Sequence, residues 1–354
     1  MMESTQLYSL LWILLSGCAP HQSVQQHTEM VDTATNHDTV HEDSGSIDAP
    51  DTNMSEPSDE HNQDPDDTET DQHFSQHFQS WLTEHPQFDS DLTRLDLEGG
   101  SFGGFGHDVH ELRHEPILFI HGNSDRASGG SLGGWTTQRA LFLEAGFANA
   151  ELYATTYGPA NPLYASSYRH DVETLQHIRD FIEAVLEYTD APKIDIVTHS
   201  LGVTLTRKAI LGGSFTDANQ QTVHLGEPLT NQVDTFVGIA GANHGLTSCL
   251  GSFAPTCSNV DGLYPGTVLG LEVVGQSEIV QNINEVQTYE GAYRFSIWSQ
   301  SDEILGFGSL VWGQNTARIP MQTDETVYGA KSHLALKEDS FESVYTMMQE
   351  HRTP

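Results

Sequence analysis

From residue 116 onward, short, largely apolar segments alternate with stretches of helical period, and this alternation limits the fold more than any other feature. Residues 116–120 (PILFI), 152–157, 193–197, 233–239 and 293–298 read as strands, being short, apolar and rich in β-branched and aromatic residues. Between them the spacing predicts helices over 136–145, 168–188 and 203–210. In the longest, Val172, Leu175, Ile178, Ile182, Val185 and Leu186 recur on one helical face. Strands this apolar must be covered on both sides. A strand–helix–strand order provides that cover as a mostly parallel sheet between two helical layers, an α/β class. The chain contains no internal repeat.

The first 77 residues are of a different kind. Residues 10–15 (LLWILL) form an apolar run too short to span a bilayer, and it ends in LSGC (15–18). We read 1–17 as a lipoprotein-type signal peptide and Cys18 as a lipidation site, although the leading MMESTQ carries no Lys or Arg. Residues 19–72 hold 15 Asp and Glu and no Lys or Arg, with hardly an aliphatic side chain. Such composition cannot bury enough apolar surface to offset its ordering entropy, so 18–77 is expected to be a disordered acidic linker. Its scattered histidines read as solvated. The folded domain is expected over 78–354. The implied place is an outer-membrane or cell-surface lipoprotein anchored through Cys18, or otherwise a secreted protein. The net charge of −36 offers nothing to attract nucleic acid or an anionic surface. With Cys18 lipidated, Cys249 and Cys257 remain, and their spacing permits a disulfide in an oxidising compartment.

The stretch 196–203 (IVTHSLGV) carries the chemistry. A strand leads into a turn at Ser200 and a helix follows, one residue away from G-x-S-x-G. A serine at such an elbow projects above the sheet's carboxyl edge, and backbone N–H groups at the helix start can face an oxyanion. The close approach of strand and helix asks for small residues two before and two after the serine. Gly202 meets that and Thr198 does not, while His199 is expected to pack beside the elbow. The strand at 117–120 runs into His121, Gly122 and Asn123, so the Asn123 N–H is the expected second oxyanion donor beside that of Leu201. An acid and a histidine must then follow in that order. Asp302, after the strand at 293–298, and His333, before the C-terminal helix, fill the two places. Glu303 is the alternative acid, with Asp234 and Asp261 as outsiders, and His351 lies nearly at the terminus. His244 precedes the acid and is assigned to lining or supporting the site. His107, His110 and His114 lack the carboxylate or cysteine partners of a metal site, so no metal is expected.

The segments FIHGNSD (119–125), THSLG (198–202), FVGIAGANHGLTSC (236–249) and SDE (301–303) together resemble the class 2 lipase family, over about residues 99–351. The resemblance implies an α/β-hydrolase fold and a secreted enzyme acting on carboxylic esters. It implies Ser200 as nucleophile, Asp302 and His333 as its partners, Asn123 and Leu201 as the oxyanion hole, and a Cys249–Cys257 bridge. The family more often has alanine at the place of Thr198. The expected partner is a lipid or other hydrophobic ester, with no cofactor and no obligate protein partner. Residues 251–275, rich in apolar side chains, are expected to cover the site, with core packing as the alternative. Two alternatives stand beside a lipase or esterase: a polyhydroxyalkanoate-type polyester depolymerase, and a non-catalytic surface lipoprotein that keeps a hydrolase fold.

Overall fold

The computed structural model describes residues 72–106 and 111–354. The signal-like segment, Cys18, residues 19–71, His107 and His110 lie outside them. Seven strands form the central sheet: β1 (Ser101–Phe102), β2 (Ile117–Ile120), β3 (Leu152–Thr155), β4 (Ile194–His199), β5 (Val233–Ile239), β6 (Tyr293–Ser299) and β7 (Asp324–Tyr328). Their spatial order is β1-β3-β2-β4-β5-β6-β7. Every neighbouring pair is parallel except β1 and β3. All residues of β2, β3 and β4 are buried, as strands covered on both faces must be.

Among the described residues seven α-helices provide the cover: α1 (Gln76–Glu84), α2 (Thr136–Glu144), α3 (Val172–Thr189), α4 (Leu201–Leu211), α5 (Glu278–Glu285), α6 (His333–Glu338) and α7 (Phe341–Glu350). The apolar face of α3 packs on α4, and α4 in turn meets α5. On the other face α2 meets α6, and Phe142 packs edge-on against Phe341 of α7 with ring centroids 5.0 Å apart. This is an α/β-hydrolase fold. Among the described residues no helix is long and apolar enough to cross a membrane.

Several boundaries differ from expectation for local reasons. Helix α3 begins at Val172 rather than 168, because the Asp171 carboxylate accepts the Thr174 N–H at 3.0 Å and caps it. Residues ahead of it, Pro162–Ser167, form a 3₁₀ turn instead. Strand β4 runs on through Thr198 and His199, and α4 starts at Leu201, so Ser200 alone makes the turn. His333 is itself the first residue of a short helix, with Ser332 as its cap. Within the expected cover, Pro255–Cys257 forms a 3₁₀ turn, and Thr267–Leu269 pairs with Glu272–Val274 as an exposed hairpin. Cys249 and Cys257 are bonded, with Cα atoms 5.1 Å apart.

Candidate active site

The site grows from the junction of β4 and α4. Ser200 has φ 56° and ψ −124°, a backbone conformation that costs energy in any residue but glycine and is retained where surroundings impose it. Its N–H donates to Ile239 O of β5 at 2.8 Å, fixing the turn to the sheet. Gly202 is needed for contact. A Cβ there would stand 2.3 Å from His121 O and 2.9 Å from Ile120 O, so any side chain would push α4 away from β2. Thr198 is wholly buried and its hydroxyl donates to Val237 O at 3.0 Å, which satisfies the polar atom in place. Its neighbour across the β4–β5 pairing is Gly238, so the room that a small residue would give at 198 is present on the adjoining strand.

Asp302 and His333 are in contact. His333 Nδ1 and Asp302 Oδ2 are 2.8 Å apart and both residues are buried. The other oxygen of Asp302 accepts the N–H groups of Ile304 and Leu305 at 2.9 and 2.8 Å. Burial opposes the charge on Asp302, but the facing His333 and those two N–H groups outweigh it and hold the carboxyl below its ordinary pKa. Burial likewise favours a neutral His333. The Asp302 charge facing it, with Glu303 close by, outweighs that and raises the imidazole above its ordinary value. Nδ1–H therefore points at the carboxylate, leaving Nε2 as the basic nitrogen.

The neighbouring histidines hold the frame. His199 Nε2 donates to His333 O at 3.1 Å, and the two rings lie 4.7 Å apart. Burial keeps His199 neutral, well below its ordinary pKa. His121 Nδ1 donates to Gly122 O at 2.7 Å, its Nε2 accepts the Tyr157 N–H at 3.1 Å, and its ring stacks on Tyr157. Burial lowers its pKa to about 4. The Asn123 amide group donates to Ala165 O at 2.9 Å, tying the loop after β2 to the turn before α3. His244 donates its N–H to Thr316 Oγ1 at 2.9 Å, and from the same loop it is Leu246 that reaches the pocket.

Ser200, His333, Asn123, Leu201, Gly122 and His199 all line one small cavity, with a free volume of about 70 Å³. Its remaining walls are mostly apolar, from Leu132, Leu246, Leu263, Ile304 and Leu334. The residues set aside in the sequence lie elsewhere. His351 pairs with Asp234 at 2.9 Å, and Asp261 is buried with Arg169 at 3.3 Å. His114 pairs with Glu151 at 2.9 Å.

Two features escaped the sequence. Glu303 does not face the imidazole ring: its Oε2 accepts the backbone N–H of His333 at 3.0 Å. Lys337 of α6 is wholly buried and donates to Asp125 Oδ2 at 2.6 Å and to Leu132 O at 2.9 Å. That pair bolts the helix carrying His333 to the loop carrying Asn123. The available signal was the four-residue spacing of His333 and Lys337, which puts both on one face of a helix.

The family model Lipase (class 2) matches residues 114–346, about two thirds of the chain. The chain belongs to that family. No curated protein matches it in sequence. Among solved structures this class 2 lipase is similar to Aspergillus fumigatus lipase B at 12% identity and a TM-score of 0.44. That likeness covers 72% of this chain and 58% of the fungal one, so the chain spans less than two thirds of that protein. It is also similar to mature Bacillus licheniformis lipase BlEst2, at 14% identity and a TM-score of 0.44, covering 70% and 96%. A carboxylesterase study of Nitrososphaera gargenis supplies a third, at 16% identity and a TM-score of 0.38, covering 71% and 92%. Likenesses this distant say nothing of substrate. Family membership places the protein among the lipases and esterases.

Proposed function

We propose that this class 2 lipase is an exported serine hydrolase that cleaves lipid esters through an acyl-enzyme. His333 Nε2 takes the proton of Ser200 as its Oγ attacks the ester carbonyl, and Asp302 orients the ring and stabilises the imidazolium. The Asn123 and Leu201 amides hold the oxyanion, the latter at the positive end of α4. His333 returns its proton to the departing alcohol. Water, activated by the same ring, then releases the acid. Gly122, Gly202 and Thr198 shape the turn, and His121 and His199 brace it.

The observation that carries this reading is the 2.8 Å contact of His333 with Asp302, opening on the same pocket as a strained Ser200. The lipid character of the substrate is supported by large apolar side chains left in solvent. Leu163, Phe253, Leu269, Leu271 and Phe307 are all more than 60% exposed, and all sit on loops leaving the carboxyl ends of β3, β5 and β6. Export is supported by the Cys249–Cys257 bond. The fold begins earlier than residue 78, since Phe74 is buried and Ser75 caps α1. In this reading the tether to a lipidated Cys18 is therefore shorter than 18–77, and palmitate labelling of wild type and Cys18→Ser would test the anchor.

Ser200→Ala should lower turnover of a p-nitrophenyl ester by about 10⁴-fold or more. A fluorophosphonate probe should label wild type and not the variant. Unchanged hydrolysis by folded Ser200→Ala would sink the mechanism.

A further inference from the structure

Asn123 and His333 face one pocket from different elements, and a single buried ion pair joins those elements. Residues 121–135 run from β2 to α2 without helix or sheet, apart from one bridge between Ser128 and Gly134. Ser124, Gly133 and Gly134 have positive φ there. A loop so irregular takes its shape from what it touches. Asn123 sits two residues before Asp125, and His333 sits about one helical turn before Lys337 on α6. Lys337 Nζ donates to Asp125 Oδ2 at 2.6 Å and to Leu132 O at 2.9 Å. Asp125 Oδ1 accepts the N–H groups of Arg126 and Gly134 at 2.9 and 3.1 Å, so one carboxylate gathers both arms of the loop. Gln138 Nε2 donates to Lys337 O at 2.6 Å, which ties the same turn of α6 to α2.

A buried ion pair is a poor device for stability alone, because an apolar pair of similar volume often holds a fold as well or better. What the charged contact adds is direction, since a short N–H···O bond fixes both separation and angle where apolar surfaces can slide. Direction matters at this pocket. Oxyanion donors must lie about 2.7–3.1 Å from the position the developing charge takes, and a misplacement of about 1 Å can cost about 10²-fold. We propose that Asp125 and Lys337 are positioning residues, whose pair holds the Asn123 N–H in register with Ser200 and His333. This rests on the ester-hydrolase reading given above. His333 is also held by Asp302 and Glu303, so breaking the pair displaces the loop more than the base.

The test compares a p-nitrophenyl ester with its thionoester, in which sulfur replaces the carbonyl oxygen. Sulfur accepts hydrogen bonds weakly, so the thionoester draws little from the oxyanion donors. Asp125→Asn combined with Lys337→Met removes the pair without stranding a buried charge, and the new Asn keeps an acceptor for the Gly134 N–H. That double variant should lose about tenfold or more in kcat on the oxygen ester, with KM within about twofold. It should lose less on the thionoester, so the oxygen-to-sulfur ratio of kcat/KM falls severalfold. Lys337→Arg keeps the charge but changes the reach of its donors, and should lower the ratio by a smaller factor. If the double variant does not fold, Lys337→Arg decides. A brace for the fold alone would lower the melting temperature and treat both esters alike. A ratio equal to that of wild type in a folded variant, with Ser200 still labelled by fluorophosphonate, therefore overturns this assignment alone. Hydrolysis of neither ester by wild type, with no label on Ser200, brings down the hydrolase reading and this assignment with it.

Discussion

The sheet carries a histidine–aspartate pair at each end. At the carboxyl edge His333 meets Asp302 at 2.8 Å, and at the amino edge His351 meets Asp234 at 2.9 Å. Distance does not separate them. Their surroundings do. Asp302 is buried, has two backbone N–H groups on its second oxygen, and shares its histidine with a pocket containing Ser200. Asp234 is partly exposed and also receives Lys193 Nζ at 2.5 Å, while the His351 ring stacks on Tyr293 with centroids 3.8 Å apart. A partly exposed pair with a competing cation is an anchor. A buried pair whose histidine borders the same pocket as Ser200 is, under the proposed mechanism, the one poised for proton transfer.

The widest gap should open between the two histidines. His333→Ala is expected to lower kcat/KM for a p-nitrophenyl ester by about 10⁴-fold or more, as Ser200→Ala does. His351→Ala should leave kcat/KM within about twofold and cost about 1 kcal/mol of stability or less, as partly exposed ion pairs do. Steady-state kinetics with a thermal melt on each variant decide it. Comparable losses of activity at both positions would break the comparison.

The two ends also treat their aspartates oppositely. Asp195, near the start of β4, lies with Glu115 and Asp234 in a cluster of carboxylates at the amino edge, their oxygens within 4.8 Å of one another. Burial first, and the Glu115 charge next, push the Asp195 carboxyl well above its ordinary pKa, whereas Asp302 is held below. A folded-state pKa above the unfolded value means that this carboxyl weakens the fold as pH rises past about 4. Asp195→Asn keeps an acceptor for the Thr235 N–H and removes the ionisable group. Its melting temperature should exceed that of wild type by a few degrees at pH 7, with the gain shrinking toward pH 4. Asp302→Asn should lose roughly 10³–10⁴-fold in kcat instead, because the amide favours the wrong tautomer of His333. An Asp195→Asn protein that melts below wild type at pH 7 would show that its charge is paired after all.

How far the sequence reaches follows from how local each cause is. Strands β2, β4 and β5 are legible because parallel strands buried on both faces spell themselves as continuous apolar runs. Strand β7 is not, because DETVY sits at the sheet's edge, partly exposed, and its pairing with β6 is the only thing that makes it a strand. Chain order narrows the acid to Asp302 with Glu303 as its alternative and picks out His333, and the fold brings Asp302 and His333 into contact. Nothing in order or composition distinguishes the adjacent acids by task. That division comes from the turn after β6, where the Ile304 and Leu305 N–H groups close on Asp302 and leave Glu303 to the His333 backbone. Lys337 reads as a surface lysine until Asp125, more than two hundred residues earlier, is seen to meet it in the core. Long-range ion pairs leave no periodic trace.

The smallest expected effect concerns Glu303, which contributes to the raised pKa of His333 after the larger contribution of Asp302. A general base must be neutral to accept a proton, so kcat/KM should rise with pH through the raised pKa of His333 and level off above it. Glu303→Gln keeps an acceptor for the His333 N–H while removing a nearby negative charge. Without that charge the imidazolium is less favoured, its pKa falls, and the acid limb of the kcat/KM profile should move to lower pH. The plateau should change less than in Asp302→Asn, where both the charge and the tautomer are affected. A limb that stays put, or moves upward, would mean that Glu303 acts on His333 through the backbone hydrogen bond alone.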